Sequence, residues 1–198
     1  MRRFSTFFFS ILLFAGAIAA GAQVVSSATG RQVSITAGGM ASIFQPDYAQ
    51  QCCSQTGYFI ASASNQPLFG VGAYVDVRLR RWVQFEAEGR WSRFNAYYGI
   101  TQDNYLIGPR IPVYRFWKAT VYGKALGGYS NMNFGDYYGF PTGTGRFTDF
   151  ALGGGVDVKL TKRISLRAAD VEYQYYPWWG NSTLSPYGAS VGIGYKIF

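Results

Sequence analysis

The chain contains no histidine, and only two of its 198 residues are cysteine. It therefore lacks the side chain best suited to proton transfer near neutral pH, which is also the commonest ligand of protein-bound metals. Charged residues are sparse as well, at 14% of the chain, against about 25% in typical soluble domains. We expect no catalytic residues, no metal site and no cofactor.

The two cysteines, Cys52 and Cys53, are neighbours in the sequence. Two cysteines are too few for a disulfide scaffold, so other interactions must hold the fold together. Export to an oxidising compartment would permit a disulfide between them, although neighbouring cysteines close only a strained ring. We interpret the pair as a loop feature whose redox state the sequence leaves open.

Long apolar runs are absent beyond the first 20 residues. At the start, Arg2 and Arg3 precede an apolar stretch from Phe7 to Ala20, and further small residues follow it. This order predicts a cleaved signal peptide over residues 1–22, because a spanning helix needs roughly 20 apolar residues. Residues 23–198 are then expected to form one exported domain without a membrane-spanning helix.

Glycine and aromatic residues are abundant instead, with 25 Gly, 16 Tyr, 16 Phe and 5 Trp. This combination favours tightly curved β-sheet over helix. The formal charge of +8 includes Arg2 and Arg3, and the other basic residues are scattered along the sequence. Because nucleic-acid binding requires a clustered basic face in a recognisable module, we expect no nucleic-acid partner.

Apolar and polar residues alternate in long segments, which indicates strands with one apolar and one polar face. These segments reach about ten residues or more, whereas strands in soluble proteins average about 5–6 residues. A tilted strand of about ten residues crosses the apolar part of a bilayer. Eight strands are predicted, at residues 33–43, 69–79, 83–92, 104–113, 119–132, 148–160, 164–176 and 186–198.

The connections between these strands alternate in length. Short joins fall at residues 80–81, 114–118 and 161–163, and long ones at 45–66, 95–103, 133–147 and 177–185. Strict alternation of short turns and long loops is typical of membrane barrels in which neighbouring strands are antiparallel. The predicted fold is therefore an all-β, eight-stranded antiparallel up-and-down transmembrane β-barrel.

An internal repeat links residues 72–79 (GAYVDVRL) with residues 153–160 (GGGVDVKL). Each copy is followed by a basic turn and another strand. The repeat therefore predicts two hairpins of the same design.

The second hairpin changes its apolar phase partway along its second strand, which predicts a β-bulge near Ala169. Aligning the two hairpins through this bulge places Arg167 at the position of Glu86. The same alignment places Glu172 at the position of Arg90, so the repeat exchanges the signs of these charges.

Alternation alone does not say which face points inward, because a lipocalin-like carrier has the same period with the faces exchanged. Charges of both signs on the polar face favour a confined interior, where each charge needs a partner. We therefore predict apolar side chains toward lipid and an interior ion-pair network. Its members are Asp76, Arg78, Glu86, Glu88, Arg90, Arg110, Lys124, Asp157, Lys159, Arg167 and Glu172, and Asp170 lies on the same face.

Aromatic residues crowd the strand ends, as do the interfacial girdles of membrane barrels. Their concentration there favours a bilayer over a soluble core. The predicted girdle residues are Trp82, Trp91, Tyr97, Tyr98, Tyr105, Phe116, Trp117, Tyr137, Tyr138, Tyr175, Tyr176, Trp178 and Trp179.

The leader, the eight-strand pattern, the glycine-rich repeat and the terminal strand at 187–198 resemble the OmpA/OmpX-like family of small outer-membrane β-barrels. The resemblance covers nearly all of residues 23–198. It implies a location in the outer membrane, contact with outer-membrane lipid and lipopolysaccharide, and assembly by the barrel insertion machinery. It implies no cell-wall tethering, because no peptidoglycan-binding domain is expected after the barrel.

Tyr195 and the terminal Phe198 are similar to the assembly signal of that family. The chain departs from the family's signal in two ways. Phe198 falls on the strand face opposite to Tyr195, and Lys196 stands where an aromatic residue is usual. We expect a monomer, because one closed sheet leaves no edge to share.

Three functions remain open at this point. An eight-stranded barrel has an interior just wide enough for side chains to fill, which favours a structural or surface-interaction barrel acting through its outer loops. A narrow porin-like channel for small solutes or ions is supported by Gly70, Gly72, Gly153 and Gly155, which thin the lining. A secreted lipocalin-like carrier is the third.

An enzymatic role is not expected. Barrel-type outer-membrane hydrolases use a histidine base, which this chain lacks. Glu86 and Glu88 could form a catalytic carboxylate pair, but we interpret them as members of the ion-pair network. An acyltransferase that works without histidine is left open.

Overall fold

Strands make up most of the chain that the computed structural model describes, namely residues 33–46, 67–80, 82–95, 99–134, 136–137, 140–141, 144–179 and 182–197. Among these residues, none belongs to a helix long and apolar enough to cross a bilayer. The strands are β1 Ser34–Gln45, β2 Leu68–Arg78, β3 Gln84–Ser92, β4 Ile100–Phe116, β5 Ala119–Phe134, β6 Asp136–Tyr137, β7 Phe140–Pro141, β8 Thr144–Lys159, β9 Ile164–Trp179, β10 Ser182–Leu184 and β11 Tyr187–Lys196.

Eight of these strands close into a ring in the order β1, β2, β3, β4, β5, β8, β9 and β11. Every pairing is antiparallel, and the pairing of β11 with β1 completes the circle. Closure pairs the backbone of each strand on both sides, so the sheet has no open edge. The predicted eight-stranded up-and-down barrel is confirmed.

Several strands are longer than the sequence predicts. Strand β4 begins at Ile100 rather than 104 and ends at Phe116, so the join predicted at 114–118 shrinks to a turn at Trp117, which has a φ of 49°. Strand β8 begins at Thr144 and β9 ends at Trp179, within segments predicted as loops. Backbone pairing between neighbouring strands continues past the alternating stretch, which is why the amphipathic pattern underestimates their length.

The two hairpins of the repeat have matching turns. The Leu79 and Arg80 amides both donate to the Val83 carbonyl at 3.2 Å. The amides of Leu160 and Thr161 likewise donate to the Ile164 carbonyl, both at 3.0 Å. The prediction of two hairpins of the same design is confirmed at their turns.

The predicted bulge is also present. Strand β8 pairs Val156 with Ala169 but pairs the next residue, Asp157, with Arg167. Ala168 is therefore the extra residue, one position from the site that the phase change predicts. A second irregularity, between Pro112 and Tyr114 in β4, was not predicted from the sequence. Proline lacks the amide hydrogen that a regular ladder needs, so it is tolerated at such a bulge.

The ring separates the two faces of its strands. Val75 and Phe85 point outward and are 40% and 42% exposed, whereas Glu86 and Arg90 point inward and are 0% and 1% exposed. A soluble carrier would show the reverse arrangement. The apolar faces look away from the barrel axis, as the membrane interpretation requires.

The outward surface carries aromatic side chains near both ends of the strands. Trp82, Phe116 and Trp117 are exposed around the short turns, and Tyr175 is exposed toward the opposite end. Trp91 and Tyr105 lie edge to face at 6.3 Å, and the indole Nε1 donates to the Tyr105 hydroxyl at 3.1 Å.

One predicted girdle residue was wrong. Tyr176 is fully buried inside the ring, because it shares the inward phase of Glu172 and Gln174 on β9. Tyr97, Tyr98, Tyr138, Cys52, Cys53 and Phe198 lie outside the described residues, as do the side chains of Tyr137, Trp178 and Trp179.

Candidate functional site: the barrel interior

Charged side chains from six strands meet inside the ring, in a cluster that we call the ionic layer. Their inward direction follows from the strand period, because residues two apart share a face. The layer contains four cations and six carboxylates. Its members are Arg90, Arg110, Lys124, Arg167, Asp76, Glu86, Glu88, Asp157, Asp170 and Glu172.

Lys124 lies near the centre of this layer. Strand β5, which carries it, is two places from both β3 and β9 in the ring. Its Nζ therefore reaches carboxylates on both sides: Glu86 at 3.3 Å and Glu88 at 3.0 Å on β3, and Asp170 and Glu172 at 2.9 Å on β9. One ammonium group thus joins two walls of the barrel.

Arg90 connects strands that face each other across the ring. It donates to Glu88 on its own strand at 2.8 Å, and to Glu172 on β9 at 3.1 Å. Strands β3 and β9 are four places apart in a ring of eight, so this contact spans the barrel. The guanidinium lies 4.1 Å from the centroid of the Phe44 ring, which adds a cation–π contact.

Arg167 makes the second contact across the ring. Its guanidinium donates to Glu86 at 2.9 Å and to Asp76 at 3.2 Å, and a third bond of 3.2 Å joins Asp170. The Tyr74 ring lies under the guanidinium, 3.7 Å away. Arg167 thus contacts Glu86, and Glu172 contacts Arg90. In each pair the two residues occupy equivalent positions in the two copies of the repeat.

Arg110 closes the layer toward the short turns. It donates to Asp76 on β2 and to Asp157 on β8, the two aspartates that are equivalent in the repeat. The guanidinium also lies 3.5 Å above the Tyr122 ring. Each of the three arginines therefore combines carboxylate partners with an aromatic face, which suits the planar guanidinium better than an ammonium.

Of the eleven residues predicted for the network, nine meet in this layer. Arg78 and Lys159 are the exceptions, since neither forms an ion pair with another residue of the described chain. Both line a cavity of about 450 Å³ at the end of the barrel that carries the short turns. Sequence spacing puts them on the correct face, but they lie too near the turns to reach the layer.

A second inward cluster, made of uncharged groups around one carboxylate, lies beyond the layer and was missed by the sequence analysis. The Asn104 amide donates to Ser130 at 2.7 Å, to Asp149 at 2.8 Å and to the Tyr176 hydroxyl at 2.9 Å. Gln174 accepts from Tyr176 at 3.0 Å. The inward phase of these polar residues on their strands was the signal that could have identified them.

The layer also contains three carboxylates close enough to hold a metal ion: Glu86, Glu88 and Asp170, with ligand atoms within 4.8 Å of one another. The Lys124 ammonium is within 3.3 Å of all three. An internal cation thus occupies the position that a metal would take. These carboxylates are arranged for ion pairing.

The assembly-signal residue Tyr195 points outward on β11 and is exposed. Its hydroxyl accepts a hydrogen bond from Arg163 at 3.1 Å. Val191 and Ile193 share its outward face. The last strand therefore presents a continuous row of apolar side chains on the outer surface of the barrel.

The chain matches one family of known proteins and is similar to several solved barrels. The family model for the outer membrane protein beta-barrel domain matches residues 10–196. Among solved structures, neisserial surface protein A is similar over 82% of this chain and 96% of its own, with 11% identity and a TM-score of 0.59. The N-terminal barrel of Pseudomonas aeruginosa OprF is similar over 84% and 100%, with 12% identity and a TM-score of 0.55. No protein of curated function matches the chain.

Proposed function

We propose that this chain, which belongs to the outer membrane protein beta-barrel domain family and lies in the outer membrane, is a plugged barrel. In this proposal its interior stabilises the ring, and its outer loops meet other surfaces. The observation that carries the proposal is the ionic layer, whose contacts from β3 to β9 cross the interior.

The positions of the interior glycines support a filled barrel. A methyl group at Gly72 would lie 2.7 Å from both Met40 Cε and the Gly89 carbonyl, and one at Gly155 would clash with the Ala169 carbonyl and lie 2.6 Å from the Tyr122 hydroxyl. Side chains and backbone of neighbouring strands therefore occupy the space that these glycines leave. From the sequence, these glycines were interpreted as support for a channel. At Gly72 and Gly155 they instead make room for neighbouring groups to pack inside the barrel.

The long strands support a role at the cell surface. Strands β4, β5, β8 and β9 have 16 or 17 residues, and about ten suffice to cross the bilayer. The additional residues extend the half of the barrel that is formed by β4, β5, β8 and β9 beyond the membrane. Loops held on such extensions are suited to surface contacts, and lipopolysaccharide is the first partner that they and the outward aromatic residues would meet.

Conductance in planar bilayers tests the plug. We expect the folded protein to give no reproducible current steps. The double variant Arg90→Ala/Lys124→Ala removes two cations from the layer and should produce steps. The matched control Arg78→Ala/Lys159→Ala removes two inward cations outside the layer and should remain silent.

A narrow channel for small solutes or ions is the alternative outcome of the same experiment. Reproducible steps from the unaltered protein would support the channel and contradict the plug. Folding of each variant is checked by heat-modifiability, since a folded barrel runs at a different apparent mass from a boiled sample on a detergent gel.

We also propose that the barrel insertion machinery recognises the last strand through its outward residues. Tyr195, Ile193 and Val191 form the exposed row that supports this role. Tyr195→Ala should slow assembly into liposomes that contain the machinery, whereas Ser190→Ala, an inward change on the same strand, should not. Equal assembly rates for Tyr195→Ala and the parent chain would contradict the proposal.

A further inference from the structure

The short-turn end of the barrel contains a cavity that we call the turn-end cup, with a volume of about 450 Å³. Its floor includes Asp76, Arg110 and Asp157 from the ionic layer. Its lining holds seven Lys and Arg side chains but only these two carboxylates. The cup is therefore a concave, strongly cationic surface, and this charge excess distinguishes it from the layer above it.

The two carboxylates of the cup are already engaged, because both accept hydrogen bonds from Arg110. Three other cations occupy inward-facing positions: Arg78, Lys159 and Lys196. None of the three forms an ion pair with another described residue. Arg78 lies beside the Gln84 side-chain amide, whose oxygen accepts from the guanidinium at 2.9 and 3.2 Å when the amide is turned over, the orientation that satisfies both of its polar atoms. A neutral amide positions the charge of Arg78 without neutralising it.

The repeat places two of these cations on opposite walls. Arg78 and Lys159 are equivalent residues, each two positions after the aspartate that Arg110 contacts. Strands β2 and β8 lie four places apart in the ring of eight, so the cations face the same space from opposite sides. The hydroxyls of Ser34, Thr120 and Ser165 line the wall between them and offer further donors.

We propose that the turn-end cup binds a small anion that carries at least two phosphoryl groups. Phosphoryl oxygens accept charge-assisted hydrogen bonds from guanidinium and ammonium groups, and two such groups match cations on opposite walls. In outer-membrane barrels the short turns face the periplasm, so the ligand enters from that side. This reading of the cup as a binding site rather than a passage rests on the proposed plug, in which the ionic layer closes the far end.

Calorimetric titration of inorganic pyrophosphate into the protein in phosphatidylcholine nanodiscs tests this site. We expect one pyrophosphate per barrel, with an affinity that falls as salt is added. Arg78→Gln and Lys159→Gln should each weaken binding about tenfold, because each removes one charge-assisted contact. Arg78→Lys keeps the charge and should retain most of the affinity.

The matched control is Arg80→Gln, which removes a cation from the same turn but outside the cup. An equal loss of affinity in Arg80→Gln and Arg78→Gln would overturn the proposal in favour of general surface charge. Absence of pyrophosphate binding to the parent protein would overturn it as well. These results do not depend on whether the barrel conducts, so the proposed plug stands or fails separately.

A second titration distinguishes a soluble anion from a lipid headgroup, which offers the same phosphate chemistry. In nanodiscs that contain phosphatidylglycerol, unchanged pyrophosphate affinity supports a soluble ligand. Competition by the lipid that disappears in Lys159→Gln supports the same cup with a headgroup as its occupant. Competition that persists in Lys159→Gln would place the phosphate site outside the cup and overturn the proposal.

Discussion

The ionic layer and the turn-end cup are built from the same kind of residue on the same face of the strands, but their charges are matched differently. In the layer, each cation contacts at least two carboxylates. In the cup, Arg78, Lys159 and Lys196 have no carboxylate partner among the described residues. The position along the barrel axis therefore decides whether an inward charge holds the ring together or is left for a ligand.

The largest expected effect comes from removing the central cation of the layer. Lys124→Met leaves four carboxylates without their shared partner, and breaking a buried ion pair from one side costs about 3–5 kcal/mol. Unfolding by urea in lipid vesicles measures the free energy of unfolding. The matched change in the cup, Lys159→Met, should cost less than about 1 kcal/mol, since it breaks no ion pair. Similar losses for the two variants would show that the two regions do not differ as we describe.

The second effect concerns the uncharged cluster beyond the layer. Asn104→Leu removes one donor that Ser130, Asp149 and Tyr176 share, but all three stay hydrogen-bonded, because Ser130 and Tyr176 still donate to Asp149 at 2.8 and 3.0 Å. The expected cost is that of about one unsatisfied buried group, about 1–3 kcal/mol. The same unfolding measurement should therefore show a loss smaller than that of Lys124→Met. The outward change Asn131→Leu on the neighbouring strand is the control and should have little effect. A larger loss of unfolding free energy for Asn104→Leu than for Lys124→Met would contradict this ranking. It would show that the uncharged cluster stabilises the barrel more than the ionic layer does.

A third effect tests whether aromatic rings support the layer. A Cβ at Gly38 would clash with Tyr74 Cζ, in the ring that carries the Arg167 guanidinium, and would lie 2.6 Å from the Ile193 carbonyl. Gly38→Ala must displace this ring and shift the β11 backbone, and it should cost about 1–2 kcal/mol of unfolding free energy. Gly39→Ala is the control, because its Cβ would meet no atom closer than 3.8 Å. If both alanines are equally tolerated, the Tyr74 ring does not hold the layer in place.

The smallest expected change in stability is at the rim of the cup. Arg78→Gln should alter the free energy of unfolding by less than about 0.5 kcal/mol, because it breaks no ion pair and the new amide can still donate to Gln84. The variant should nevertheless lose pyrophosphate affinity. In the cup, a substitution can therefore weaken binding without changing the free energy of unfolding. A loss of several kcal/mol would instead make Arg78 part of the structural core.

Much of the fold could be predicted from particular residues. The alternation around Val75 and Phe85 predicted their outward direction, and the phase change beside Ala169 predicted the bulge to within one residue. The inward direction of Glu86 and Arg90 followed from the same period. Tyr176 was assigned to the wrong face because its aromatic character was given more weight than its phase.

The contacts inside the barrel could not be predicted in the same way. Sequence spacing identified nine members of the layer, but it could not show that Lys124 joins two walls. It also gave no reason to exclude Arg78 and Lys159, which have the same phase as the members of the layer. The depth of a residue in the barrel depends on the stagger between strands, which no single strand encodes.

The sequence by itself determined the number of strands, their antiparallel order and the face that each side chain takes, because a two-residue period and alternating connection lengths are local properties. Only the tertiary structure decided which acid meets which base. Arg90 and Glu172 are 82 residues apart, and they meet because closure of the ring places β3 opposite β9 at one depth. Closure and stagger are collective properties of all eight strands, so the ionic layer and the turn-end cup exist only once the ring has formed.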